Sequence, residues 1–136
     1  MIIEMTEKID FVYQENIAII TICNPPVNAM SVEVRKGLFD ALKEAEKNKN
    51  VKAIILKGSG KTFPAGADIK EFGSPPQNPG LPIINDYIES INKPIICALH
   101  GNTLGGGLEI ALACHYRIAH YKTKLGLPEV SLGLIP

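Results

Sequence analysis

Apolar residues fall in short runs along the chain, and the runs carry two different periods. Residues 9–13 and 17–22 are rich in isoleucine, valine, phenylalanine and tyrosine and are separated by Gln14, Glu15 and Asn16. β-Branched and aromatic side chains fit a pleated surface, so two such runs across a polar break predict a hairpin. Pro25 and Pro26 then end any ladder, and the period changes. Val34, Leu38, Leu42 and Ala45 recur at helical spacing behind Ser31, whose hydroxyl suits an N-cap, which predicts a helix from 31 to about 48. Residues 53–56 are apolar, β-branched and too few for a helix; with Lys52 before them and Lys57-Gly58 after, they read as a buried strand.

The alternation continues in the second half. Residues 73–82 hold four prolines and predict an irregular, mobile loop inside the unit. Ile84, Ile88 and Ile91 align on a helix over 82–92, which Lys93-Pro94 ends ahead of a strand over 95–99. Beyond the glycine-rich stretch 101–107, the pattern predicts a small-residue helix over 108–114 and a strand over 116–120. A Gly-Leu-Pro turn at 126–128 and a short helical turn at 129–132 follow. Strand alternating with helix predicts an α/β architecture.

Composition narrows the possibilities. With 136 residues, 46% of them apolar, the chain is the size of one domain with one packed core. Lysine plus arginine and aspartate plus glutamate number 14 each, so no overall field favours nucleic acid or an anionic membrane, and an anionic ligand has to be met locally. No apolar run reaches the roughly 20 residues a membrane span requires. The acidic start argues against a signal peptide, and an intracellular protein is expected. Cys23, Cys97 and Cys114 are odd in number, lack CxxC spacing and are expected to be reduced and packed. His100, His115 and His120 lack metal-ligand spacing, so no metal site is expected.

Candidate chemistry sits at the turns. Phe63-Pro64-Ala65-Gly66-Ala67-Asp68 joins a strand to a short helix, and Leu104-Gly105-Gly106-Gly107-Leu108-Glu109 joins another strand to the next helix. Small residues let a ligand approach main chain, and a turn opening into a helix leaves N–H groups free to meet negative charge. Each segment alone fits an ordinary strand-to-helix turn or close helix packing equally well. Neither matches the dinucleotide or P-loop pattern. Glu109 interrupts an otherwise apolar helix start, and Glu129 follows Pro128 in the same manner. Each suits the positive end of a helix dipole. Together, beside two glycine turns, they also suit a pair that holds one water for general acid/base work. Asp68 reads best as an N-cap. Lys57, Lys61 and Lys70 fit ligand phosphates or a solvated face.

Four segments, in order and spacing, resemble the crotonase (enoyl-CoA hydratase/isomerase) superfamily: 24–31 (Asn-Pro-Pro-Val-Asn-Ala-Met-Ser), 63–72, 104–109 and 126–136. Within it, the first segment and residues 114–120 are most similar to the hydratase/isomerase part of peroxisomal bifunctional enzymes, with bacterial multifunctional enzymes close behind. The resemblance implies a spiral of ββα repeats, the chain being the N-terminal portion of such a domain and stopping before its C-terminal helical region. It implies Glu109 and Glu129 as catalytic carboxylates, and the backbone N–H groups of Ala67 and Gly106 as an oxyanion hole. Ala65, Gly66, Asp68, Ile69 and Gly105 are implied to contact coenzyme A or substrate. The implied reaction is reversible hydration of trans-2-enoyl-CoA in fatty-acid β-oxidation, with 3,2-enoyl-CoA isomerisation as a second activity. No cofactor beyond the coenzyme A of an acyl-CoA thioester substrate is implied, and no NAD chemistry. A homo-oligomer, or contacts with the missing C-terminal region, would cover the remaining surface. The implied compartment is the peroxisome, or the cytoplasm for a bacterial-type enzyme. A silent binding unit is the alternative function.

Overall fold

The computed structural model describes residues 2–136, with side chains from residue 7 onward. The expected hairpin forms and gains a third strand: β1 (Ile2–Thr6), β2 (Ile9–Gln14) and β3 (Ile17–Ile22) run antiparallel, with Phe11 opposite Ile20. β1 lies outside the predicted runs. Helix α1 (Val32–Lys47) starts where the cap signal puts it, and Ser31 Oγ accepts the Val34 N–H at 3.3 Å. Its buried stripe includes Val34, Leu38, Ala41, Leu42 and Ala45, and it packs against β1, β2 and β3.

From here the chain coils. β4 (Ala53–Gly58) runs parallel to β3 and leads through a 3-10 turn at Ile69–Glu71 to α2 (Leu81–Ser90). β5 (Ile95–Leu99) returns parallel to β4, followed by the short β6 (Asn102–Leu104) and α3 (Gly106–Ala113). β7 (Tyr116–Ala119) lies parallel to β5, β8 (Lys124–Gly126) lies parallel to β6, and a 3-10 turn at Pro128–Leu132 follows. Six strands thus form one sheet in the order β1-β2-β3-β4-β5-β7, while β6 and β8 form a second, to which Ala65 adds a parallel bridge at Leu104. Each coil gives a strand to the large sheet, a short strand or bridge to the small one, and then a helix: a spiral of ββα units. Isoleucine and leucine from β3 and β4 (Ile20, Ile54, Leu56) meet Leu38 and Leu42 of α1 and Ile84 and Ile88 of α2 in a fully buried core. Losing one of these to alanine costs about 2–5 kcal/mol.

Several expectations need revision. β6 lies in the stretch expected to be only a glycine-rich turn, and β8 just ahead of the expected Gly-Leu-Pro turn where no element was expected, because each has three residues and is defined by its partner, not by alternation. The helix expected from 108 begins at Gly106. Cys97 and Cys114 are buried, but Cys23 is only half-buried and its thiol lies 3.3 Å from Asp10 Oδ2. Three thiols are therefore free, and two are packed. Lys57, Lys61 and Lys70 are all exposed. The proline-rich loop is irregular as expected, yet its far end is anchored: Gln77 O and Pro79 O both accept from Arg35.

One buried side chain fixes the first turn that matters for the site. Asn28 is 1% exposed and adopts φ +53°, a conformation asparagine tolerates better than most residues. Its amide nitrogen donates to Ser59 O and Thr62 O at 2.9 and 2.8 Å, and its Oδ1 accepts the Asn24 N–H at 2.8 Å. The 24–31 segment is thereby tied to the loop after β4. Asn28→Ala strands two carbonyls and one N–H and strains the backbone, so an unfolding free energy lower by about 3 kcal/mol is expected. Urea denaturation checks this, and a near-neutral effect would contradict the role given to Asn28.

Candidate active site

Two turns meet on the helix side of the small sheet. In the first, the Ala65 N–H donates to Val27 O at 3.1 Å, and Gly66 O accepts from the Met30 N–H at 2.9 Å. These bonds stitch the turn to the 24–31 segment. The next N–H, that of Ala67, has no acceptor among the described residues. In the second turn, the Gly105 N–H donates to Gly126 O at 2.9 Å, and Gly106 opens α3 with its N–H likewise free. Free N–H groups at a helix start are what the α-helical bonding pattern leaves over.

Close approach of main chain brings the turns together. A Cβ on Gly107 would lie 1.8 Å from Pro64 O, so any side chain there forces the helix away from the first turn. Gly105 answers a different demand. It sits at φ +52°, and a Cβ there would come 2.7 Å from Glu129 Oε1. The glycine run therefore serves both packing and the carboxylate.

Between the turns lies a cleft of about 230 Å³. Ala65, Gly66, Ala67, Gly105, Gly106, Glu109 and Glu129 line its polar end, and Ile69, Phe72, Leu81 and Leu132 its apolar end. Glu109 projects from the first turns of α3, whose positive end faces the same space. Burial raises the Glu109 carboxyl above its ordinary value, and the nearby Glu129 charge raises it further. Glu129 Oε2 is buried without a hydrogen-bond partner. A polar atom so placed marks a position for a water or a substrate group.

All but one of the sequence-predicted site residues share this cleft. Asp68 stands apart. Its Oδ1 accepts the Lys70 N–H at 3.0 Å, capping the 3-10 turn, and it lines an adjoining groove with Asn24, Pro25 and Pro26. Two bonded residues beside the cleft, Arg35 and Glu71, escape the sequence reading; Arg35 Nη1 lies 2.9 Å from Glu71 Oε2. Arg35 lies three and seven residues before Leu38 and Leu42, on the buried stripe of α1, and that spacing was the available signal. Among the described residues no group of histidine, cysteine, aspartate and glutamate is arranged to hold a metal ion, and no helix is long and apolar enough to cross a membrane.

The cleft of this coiled ββα spiral combines two carboxylates with two free backbone donors, an arrangement suited to acid/base chemistry on a group that develops negative charge. The enoyl-CoA hydratase/isomerase family profile matches residues 13–136, and the chain belongs to that family. It is 47% identical over 123 residues to the peroxisomal bifunctional enzyme of Danio rerio, covering 90% of this chain and 17% of that protein. It is 48% identical over 127 residues to a probable enoyl-CoA hydratase of Bacillus subtilis (strain 168), covering 88% of this chain and 49% of that protein. The crystal structure of enoyl-CoA hydratase from Thermoplasma volcanium GSS1 superposes with a TM-score of 0.85 at 31% identity, over 95% of this chain and 54% of that one. The chain thus spans about half the length of the Bacillus relative and about a sixth of the Danio one.

The shift on Glu109 gives a stability prediction. A raised carboxyl keeps its proton in the folded chain after the unfolded chain has lost it, so stability falls as pH rises between the ordinary and the raised value. Glu109→Gln removes that fall. The variant should match wild type below the ordinary carboxylate range and exceed it at neutral pH, as read from urea midpoints at the two pH values. A variant less stable than wild type at neutral pH would contradict the burial assigned to this group.

Proposed function

We propose that this chain carries the reacting centre of an enoyl-CoA hydratase, which adds water reversibly to trans-2-enoyl-CoA to give 3-hydroxyacyl-CoA in fatty-acid β-oxidation. The observation that carries this reading is the convergence of Glu109, the partnerless Glu129 Oε2 and the free Ala67 and Gly106 N–H groups on one cleft.

In this reading the thioester oxygen accepts from Ala67 N–H and Gly106 N–H. As a water oxygen bonds to C3, the C2–C3 π pair moves toward C2 and charge develops on the carbonyl oxygen as an enolate. Donors aimed at that oxygen stabilise it, each by about 3 kcal/mol. The glutamates share one proton. One takes a proton from the attacking water while the other gives its proton to C2, and the pair ends with the proton count it began with. The raised Glu109 carboxyl suits a member of the pair that holds its proton more readily than an exposed glutamate does. Proton shuttling from C2 to C4 by one glutamate would give 3-enoyl to 2-enoyl isomerisation in the same cleft. The coenzyme A moiety of the substrate is the only cofactor this chemistry calls for. Peroxisomal and glyoxysomal relatives favour a peroxisomal setting, and the Bacillus relative the cytoplasmic alternative.

A second reading, an acyl-CoA binding unit without turnover, is favoured by the open apolar end of the cleft, where Leu132 and Ile135 are 61% and 93% exposed. Such a surface is also one on which a second copy or a further segment of protein would pack.

Hydration of crotonyl-CoA, followed by loss of the enoyl-thioester absorbance, tests the proposal. Turnover is expected, with Glu109→Gln and Glu129→Gln each slower by about 10²–10⁴-fold. Acyl-CoA binding without turnover in wild type would move the assignment to the second reading. Gly105→Ala is expected to displace Glu129 and cost about 100-fold in kcat, because a shift near 1 Å is enough to spoil a reacting geometry. A Gly105→Ala protein with wild-type kcat would show that Glu129 Oε1 does not depend on the bare glycine.

A further inference from the structure

Among the described residues Arg35 is the one charged side chain that is buried, and its guanidinium reaches three separate stretches of chain. Nη1 donates to Met30 O at 2.7 Å and to Glu71 Oε2 at 2.9 Å, Nε donates to Pro79 O at 2.8 Å, and Nη2 donates to Gln77 O at 3.3 Å. Glu71 turns its other oxygen to the Val32 N–H at 2.6 Å, so the carboxylate bridges the guanidinium and the first turn of α1. Glu71 closes the 3-10 turn that begins at Ile69, two residues after Ala67, and both Ala67 and Ile69 line the cleft. Pro79 lies two residues before Leu81, which lines the opposite wall and fills the space over Gly106: a Cβ there would meet Leu81 Cδ1 at 2.7 Å. The rest of the buried stripe of α1 is apolar or glycine, and packing alone does not call for a charge there.

We propose that Arg35 and Glu71 are a positioning pair for the cleft, Glu71 holding the wall that carries Ala67 and Ile69, and Arg35 setting that wall against the one that carries Leu81. The kinetic consequence rests on the hydratase reading; the mechanical one does not. An arginine is needed because its planar fork presents several donors in fixed directions, whereas a lysine offers one nitrogen. Arg35→Lys keeps a cation beside Glu71 and releases Gln77 O and Pro79 O. Glu71→Gln removes the ion pair and leaves those two carbonyls held. The variants therefore loosen different walls.

Amide hydrogen exchange followed by mass spectrometry reads the walls directly. Arg35→Lys should speed exchange roughly tenfold or more over residues 77–84, and Glu71→Gln over residues 66–72, with β3, β4 and β5 keeping wild-type protection. Crotonyl-CoA kinetics should split the same way. Loosening the Ala67 donor removes an interaction that grows in the transition state, so Glu71→Gln lowers kcat by roughly tenfold; loosening the apolar Leu81 wall weakens substrate and transition state alike, so Arg35→Lys chiefly raises KM. Exchange that rises evenly across the sheet, rises in the same segment for both variants, or does not rise at all overturns the proposal. If wild type shows no hydration, the hydratase reading fails, and the exchange pattern still decides for or against the pair.

Discussion

Helix α3 begins against bare main chain, and the cleft exists because of that contact. Only hydrogen at the Cα of Gly107 lets the helix start lie on Pro64 O, where a Cβ would approach to 1.8 Å. With the helix so close, Ala65 bridges Leu104, and the free N–H groups of Ala67 and Gly106 open on one space. The larger sheet makes the contact possible by setting β4 and β5 in parallel register, Leu56 beside Cys97, so that the turns leaving their ends are neighbours. Hydrophobic burial supplies most of the stabilisation, but the steric allowance at one glycine decides what the stabilised object can do.

Electrostatics work against that packing. Glu109 and Glu129 are drawn from consecutive coils into a part-buried space in which burial and the Glu129 charge disfavour ionisation of Glu109, and Glu129 Oε2 has no partner of its own. A fold selected for stability alone would put an amide or a methyl group at either position. The penalty is tolerable because it is confined to the turns, while the isoleucine and leucine core between α1, α2 and the strands remains apolar and fully packed.

Much of this was legible in the residue pattern, for identifiable reasons. Helix α1 and strands β3, β4 and β5 are set by local periodicity and by a cap at Ser31, and the chain supplies those signals within a few residues. The short strands β6 and β8 were not, since the pairing of Asn102 with Lys124 depends on segments that meet only after the coil has formed. The two glutamates could be singled out as anomalies beside glycine turns, but their mutual proximity is a property of the spiral. Arg35 was hidden by its charge, which suggests an exposed position, although its spacing from Leu38 and Leu42 puts it on the buried face. Asp68 was read both as a cap and as a ligand contact, and the structure gives it the cap.

The coiling order also sets a schedule. A ribosome delivers the hairpin, α1 and β4 first, then β5 and α3, and Glu129 after them, so each of these coils can settle on its predecessor. Until β8 docks, Gly105 lacks the Gly126 carbonyl that receives its N–H, and Glu109 faces solvent with no rival charge. The unfavourable juxtaposition of carboxylates thus arises only once the preceding coils exist to enforce it, and a nascent chain is spared it while the core between α1, α2 and the strands is still assembling.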